Sequence, residues 1–147
     1  MIINALATFL VTLGFGILFQ VPKNRLFWVG ITGMVGGVVY KYALSLAYSE
    51  SYALLLTAMS ISLLAEILAR KLKTPVTIFL ACALIPLVPG GGLYHTMLEI
   101  VRHNFELAMS IFINTIISAC AIAIGCTLVS SFLYTIFGIK RRFKSSI

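Results

Sequence analysis

Ten consecutive residues, Ile85-Pro86-Leu87-Val88-Pro89-Gly90-Gly91-Gly92-Leu93-Tyr94, concentrate the backbone chemistry of this chain. Proline has no N–H to donate and clashes with the preceding turn of a helix, while glycine accepts conformations that other residues avoid. The stretch from Pro86 to Gly92 therefore stops a helix and leaves backbone N–H and C=O groups without intrahelical partners. A second helix starting near Gly91 would present free N–H groups and the positive end of its dipole at the break. That geometry receives a carboxylate. The plainer alternative is a kink that binds nothing.

Side chains near the break extend this reading. Tyr94 and Thr96 follow it, Thr12 lies in an earlier apolar run, and Asn114, Thr115 and Ser118 lie in a later one. Each could hydrogen-bond a small polar solute. Each could instead bond between helices or back to its own backbone, the commoner fate of Ser and Thr. Asn114 stands out because an amide in an apolar run is costly without a partner. Substrate-binding candidates are thus Pro86, Pro89, Gly90, Gly91, Gly92, Tyr94 and Asn114. His95 and Glu99 are candidates for carrying a proton, against the simpler expectations of a backbone-bonded histidine and a Glu99 paired with Arg102 or His103. Glu66 precedes Arg70 by one turn and is expected to pair with it.

Enzymatic chemistry is poorly supplied. The chain has four glutamates, two histidines and no aspartate, and it lacks HExxH, nucleophile-elbow and phosphate-loop motifs. Cys82, Cys120 and Cys126 sit in apolar segments without CxxC spacing or a neighbouring histidine. They read as packing residues rather than metal ligands or disulfide partners. Neither a cofactor nor a metal is expected.

The elements that must hold these residues belong to a lipid solvent. Of 147 residues, 61% are hydrophobic and 10% charged, and the mean hydropathy is +1.07. A soluble domain carries about a quarter charged residues. The apolar runs exceed the roughly 18 residues that separate a spanning helix from a buried core helix. We expect one all-α transmembrane domain over residues 1–147. Its spans are expected at about 2–21, 26–47, 51–69, 75–101 with the break inside, and 107–137, followed by a basic tail at 138–147. The break then falls near mid-membrane, where unpaired backbone must be buried in protein or line a wet cavity. The last run, near 46 Å at about 1.5 Å per residue, must tilt, bend near Gly125 or protrude. The first run lacks a basic start and a small-x-small cleavage site, so it reads as a retained span rather than a signal peptide.

Charge gives an orientation. Lys23 and Arg25, then Arg70, Lys71 and Lys73, then Lys140, Arg141, Arg142 and Lys144 supply nine of the eleven Lys and Arg. With five spans these clusters share one side, which the positive-inside rule makes cytoplasmic, leaving the N-terminus outside and the C-terminus inside. The net charge of +7 is thus a topology signal, and no nucleic-acid partner is expected. Lys41 is expected to snorkel to the opposite rim. In the second span Gly30, Gly33, Gly36 and Gly37 include a GxxxG pair, and they make a face that another helix can approach closely.

The Val21-Pro22-Lys23-Asn24-Arg25 step, the glycine-rich second span and above all Pro86-Leu87-Val88-Pro89-Gly90 followed by Tyr94 resemble the small membrane subunit of the threonine/serine exporter family. The resemblance covers essentially the whole chain. It implies a subunit similar to the second membrane half of longer single-chain exporters, encoded beside a larger membrane subunit, in a plasma or inner membrane. It also implies proton-driven efflux of small carboxylates, either threonine and serine or dicarboxylates such as succinate. An odd span number, a bare glycine face and a break that one copy cannot enclose fit a partner or a homo-oligomer. Two other readings stay open. A non-transporting scaffold would lower its partner's abundance when the break is mutated, and a homo-oligomeric channel would ignore the proton gradient.

Overall fold

The computed structural model describes residues 2–46 and 48–144, with side chains described for 3–46 and 48–136. Six α-helices and one 3-10 turn make up the regular structure of these residues: α1 (Ile2–Leu18), α2 (Lys23–Ser45), α3 (Glu50–Leu72), α4 (Val76–Leu84), the turn Ile85–Leu87, α5 (Gly90–Val101) and α6 (Phe105–Lys144). The all-helical expectation holds. Helices α2, α3 and the Phe105–Ile136 part of α6 are long and apolar enough to cross a membrane, and α4 with α5 forms a fourth such unit bent by 41°. The apolar α1 falls short of that length, at about 26 Å for its rise against a hydrocarbon core of about 30 Å.

Several boundaries move. The first helix ends at Leu18, not Val21, because Gln20 turns left-handed at φ 55°. The Val21 N–H then reaches back to the carbonyl of Gly16 at 2.9 Å. The same closure recurs at Lys73, with Thr74 bonded to Ala69, and at His103, with Asn104 bonded to Glu99. These are Schellman-type ends built without the usual glycine, so composition gave no sign of them. Helix α2 starts directly after Pro22 rather than at Leu26, and α3 runs on to Leu72 rather than ending at Ala69. Ala47, expected to close the second span, lies outside the described residues, as do residues 1 and 145–147. Helix α6 continues through position 138, where a tail was expected, as far as Lys144. Gly125 is not a break in it. A Cβ there would lie 2.8 Å from the carbonyl oxygen of Leu55 and 3.0 Å from Ala58, so the glycine lets α6 press onto α3.

Contacts fix the directions of the helices. Thr8 meets Gly37 and Thr12 meets Gly33, so α1 and α2 are antiparallel. Gly36 meets Ile61, with 2.5 Å from a Cβ to its terminal methyl, while Arg25 donates to the carbonyl of Leu72, so α2 and α3 are antiparallel too. The glycine band of α2 is therefore packed within this chain, held by α1 on one side and α3 on the other. Ser51 and Ser118 share a hydroxyl contact of 3.4 Å, and Leu55 and Ala58 meet Gly125, so α3 and α6 run parallel. One return pass must lie between them, and α4 with α5 supplies it. The Arg25–Leu72 contact also places Lys23 and Arg25 at the same end as Arg70, Lys71 and Lys73. A core of Val29, Ala65, Leu68, Phe79 and Cys82 lies beneath that end.

The two halves of the fourth pass have different neighbours. Helix α4 packs against α1, α2 and α3, whereas α5 packs against α6.

Candidate functional site

The break is made by the two prolines. After Leu84 the chain tightens into a 3-10 turn, Val88 donates to Ile85 at 3.2 Å, and Gly90 donates to Val88 at 2.7 Å before α5 begins. Pro86 and Pro89 can donate nothing, so the ladder is interrupted twice within four residues. The glycines act differently from expectation. None takes a positive φ, so conformational freedom is not what they provide. A Cβ on Gly90 or Gly91 would have nothing within 4 Å, whereas one on Gly92 would run into the Thr115 hydroxyl. Gly92 is a packing residue of the α5–α6 seam; Gly90 and Gly91 leave the first turn of α5 uncovered.

On the other side of the break lies a cleft of about 310 Å3, at the small end of the range for ligand sites. Pro86, Leu87, Val88 and Pro89 form one wall with Ala83. Asn4 and Thr8 of α1, Gly33, Gly37 and Tyr40 of α2, and Glu50, Leu54 and Ile61 of α3 form the rest. Twelve residues separate Val76 from Leu87, so the break lies about 18 Å along the fourth pass, level with Gly33 and Gly37. The cleft runs from there to the end of the bundle opposite Arg25 and Leu72. Its polar side chains are the Asn4 amide, the Thr8 and Tyr40 hydroxyls and the Glu50 carboxylate.

Of the residues singled out from sequence, Pro86 and Pro89 line this cleft, while Gly90 and Gly91 follow them along the chain and are not part of its wall. Tyr94 is 65% exposed on α5 and His95 stacks against its ring edge-on at 5.4 Å; both face away from the bundle. No side-chain hydrogen bond ties His95 to the backbone among the described residues. Glu99 pairs with Arg102 at 2.9 Å and accepts from Asn104 at 3.3 Å, closing the α5–α6 turn, while His103 packs on Phe105 instead. Glu66 and Arg70 pair at 3.0 Å, as their spacing implied. Asn114 is exposed on α6, away from the cleft. Thr12, Thr96 and Thr115 are buried and bond back to the carbonyls four residues earlier, at 2.7, 2.8 and 2.7 Å. Backbone bonding accounts for all three.

Sequence reading missed Asn4, Thr8, Tyr40 and Glu50. The Asn4–Thr8 spacing of one turn marks a polar stripe in an otherwise apolar helix, and that signal was present. Among the described residues, no group of three or more His, Cys, Asp or Glu could hold a metal ion.

Comparison with known proteins gives the wider context. A curated relative from Haemophilus influenzae, described as an uncharacterized protein, is 28% identical over 129 residues, covering 82% of this chain and 43% of the relative. The chain thus spans less than half the length of that relative. No solved structure matches it. The family described as Threonine/Serine exporter, ThrE, matches residues 4–132, which include the whole cleft wall. With an all-helical fold, a bent α4–α5 unit and this match along most of its length, the chain belongs to the threonine/serine exporter family.

Proposed function

We propose that this chain is one membrane subunit of a secondary exporter that moves a small hydroxy amino acid, threonine or serine, out of the cell through the cleft beside the Ile85–Pro89 break. The observation that carries the reading is the break itself. It separates α4 from α5 and forms one wall of a cleft with polar groups from three helices. Interrupted helices at mid-membrane are how several transporter folds hold substrates. The uncovered first turn at Gly90 and Gly91 is the proposed seat of the substrate carboxylate, because the helix dipole and the N–H groups beyond Gly90, whose own N–H is held by Val88, favour an anion there.

A larger membrane subunit of the same family is the proposed partner. Asn114 supports this, since an exposed amide ten residues into α6 lies at lipid depth, where polar groups seek protein. The length of the relative supports it too, because this chain accounts for 43% of it. The proposed orientation puts the Arg25 and Arg70 end in the cytoplasm of a cell with a plasma or inner membrane. Coupling to protons is proposed, with His95 on the open face of α5 as the carrier, because Glu99 is already engaged by Arg102.

The test is flux of labelled threonine, serine and succinate in vesicles holding this chain alone, or with the larger subunit encoded beside it, with and without a pH gradient. Gradient-dependent threonine and serine flux in the pair is the expected result. Absence of any flux, with the partner only stabilised, would replace the exporter reading with that of a scaffold.

A further inference from the structure

The four glutamates of this chain have distinct settings. Glu66 pairs with Arg70 and Glu99 with Arg102. Glu106 lies in the first turn of α6, outside any cavity wall described above. Glu50 lines the cleft, and among the described residues it is the only charged side chain that does so. No cation pairs with it among the described residues. Around it the wall offers only neutral polar groups: the Tyr40 and Thr8 hydroxyls and the Asn4 amide. The five lysines and arginines at the α1–α2 and α3–α4 turns lie at the opposite end of the bundle.

This distribution gives the cleft a net negative charge beside several neutral hydrogen-bonding groups. We propose that Glu50 receives the ammonium group of the transported amino acid, so that the cleft selects zwitterions over dicarboxylates. The proposal rests on the exporter reading and adds a specificity-determining residue to it. Glu50 is exposed at the open end of the cleft, where a carboxylate can meet an arriving ammonium group without first being stripped of a partner. The same carboxylate repels a dianion that carries no compensating positive group. A zwitterion satisfies both ends of the site: its ammonium lies on Glu50, and its carboxylate is left for the opposite wall. The hydroxyl of threonine or serine has Asn4, Thr8 and Tyr40 within the same wall as hydrogen-bonding partners.

Glu50 also begins α3, where an acid favours the helix dipole. A purely structural role there would act on folding and would not distinguish substrates by their charge. The experiment separates the two roles.

Glu50→Gln and Glu50→Asp would be compared with the wild-type chain in vesicles that also hold the larger subunit, at matched abundance. The readout is threonine flux, with threoninol (ammonium kept, carboxylate removed) and 2,3-dihydroxybutyrate (hydroxyl in place of ammonium) as competitors. Loss of a charge-assisted hydrogen bond predicts a fall in threonine flux of roughly ten- to a hundred-fold for Glu50→Gln. Glu50→Asp should keep more of the flux. Threoninol should compete in the wild type, and dihydroxybutyrate should not. Unchanged flux in Glu50→Gln, or stronger competition by dihydroxybutyrate than by threoninol, would overturn the role of Glu50 while leaving the exporter intact. Absence of threonine flux in the wild-type pair would overturn the exporter reading and this proposal together.

Discussion

Replacing Gly91 by valine is expected to leave the amount of folded protein in the membrane unchanged while lowering threonine export at least tenfold. The first half of this expectation follows from local geometry. A Cβ on Gly91 would find nothing within 4 Å, so the side chain has room. Valine is also a somewhat better helix residue than glycine, by about 0.3 kcal/mol. The second half follows from what the bare backbone offers. A branched side chain at the first turn of α5 covers the N–H groups proposed to meet the substrate carboxylate, and removing one such donor from a preorganised site costs on the order of 3 kcal/mol. Gly92→Val is the contrasting control. Its side chain runs into Thr115, so it should reduce abundance by loosening the seam between α5 and α6. Quantitative immunoblotting beside vesicle flux measures both effects. Normal export by Gly91→Val would remove Gly91 from the substrate path.

The largest expected structural effect is at Gly33. A Cβ there collides with the hydroxyl and Cβ of Thr12. Thr12 is fully buried and its hydroxyl is committed to the Thr8 carbonyl at 2.7 Å, so it cannot swing aside cheaply. Gly33→Val should therefore destabilise the protein by about 1–3 kcal/mol through overpacking. The effect is magnified because α1 is short for a spanning helix and depends on docking to α2. Gly37, opposite Thr8, belongs to the same contact. Thermal unfolding in detergent should show a lower midpoint for Gly33→Val and no comparable change for valine at Gly14, where nothing lies within 4 Å. Equal midpoints would mean that the α1–α2 seam adds little to stability.

Much of this architecture could be read from residue types alone. Hydropathy located the apolar helices, because lipid admits only backbone that satisfies itself, and Pro86 and Pro89 located the interruption. The glycine band announced close packing, but its partners Thr8, Thr12 and Ile61 are distant in sequence and carried no mark of the pairing. Helix ends at Gln20, Lys73 and His103 escaped notice because left-handed closure usually selects glycine. The cleft was half legible. Its proline wall was visible, while the facing wall gathers single polar residues from three helices, each of which looks like rim polarity by itself. Tyr94 lies close to the break in sequence, yet helical phase turns it away, and Asn114 sits on the exposed side of α6. Gly92 and Thr96 occupy the α6-facing side of α5, and Tyr94, two residues from each, falls on the opposite side at about 100° per residue.

The split allegiance of the fourth pass ties the aperture to the thickness of the bilayer. Helix α4 is gripped by α1, α2 and α3, and α5 by α6. A helix of 40 residues such as α6 extends about 60 Å, twice the hydrocarbon depth, so its apolar stretch responds to a thinner or thicker membrane by changing tilt. A change of tilt in α6 acts on α5 directly and on α4 only through α3, onto which α6 is pressed at Gly125, so any difference between the two halves is expected to be taken up at Val88 and Pro89. Acyl-chain length is thus a mechanical input to the cleft. Transport by the reconstituted pair should vary with lipid thickness even at constant gradient and constant substrate, and a flat response across that series would show that α5 and α4 move as one.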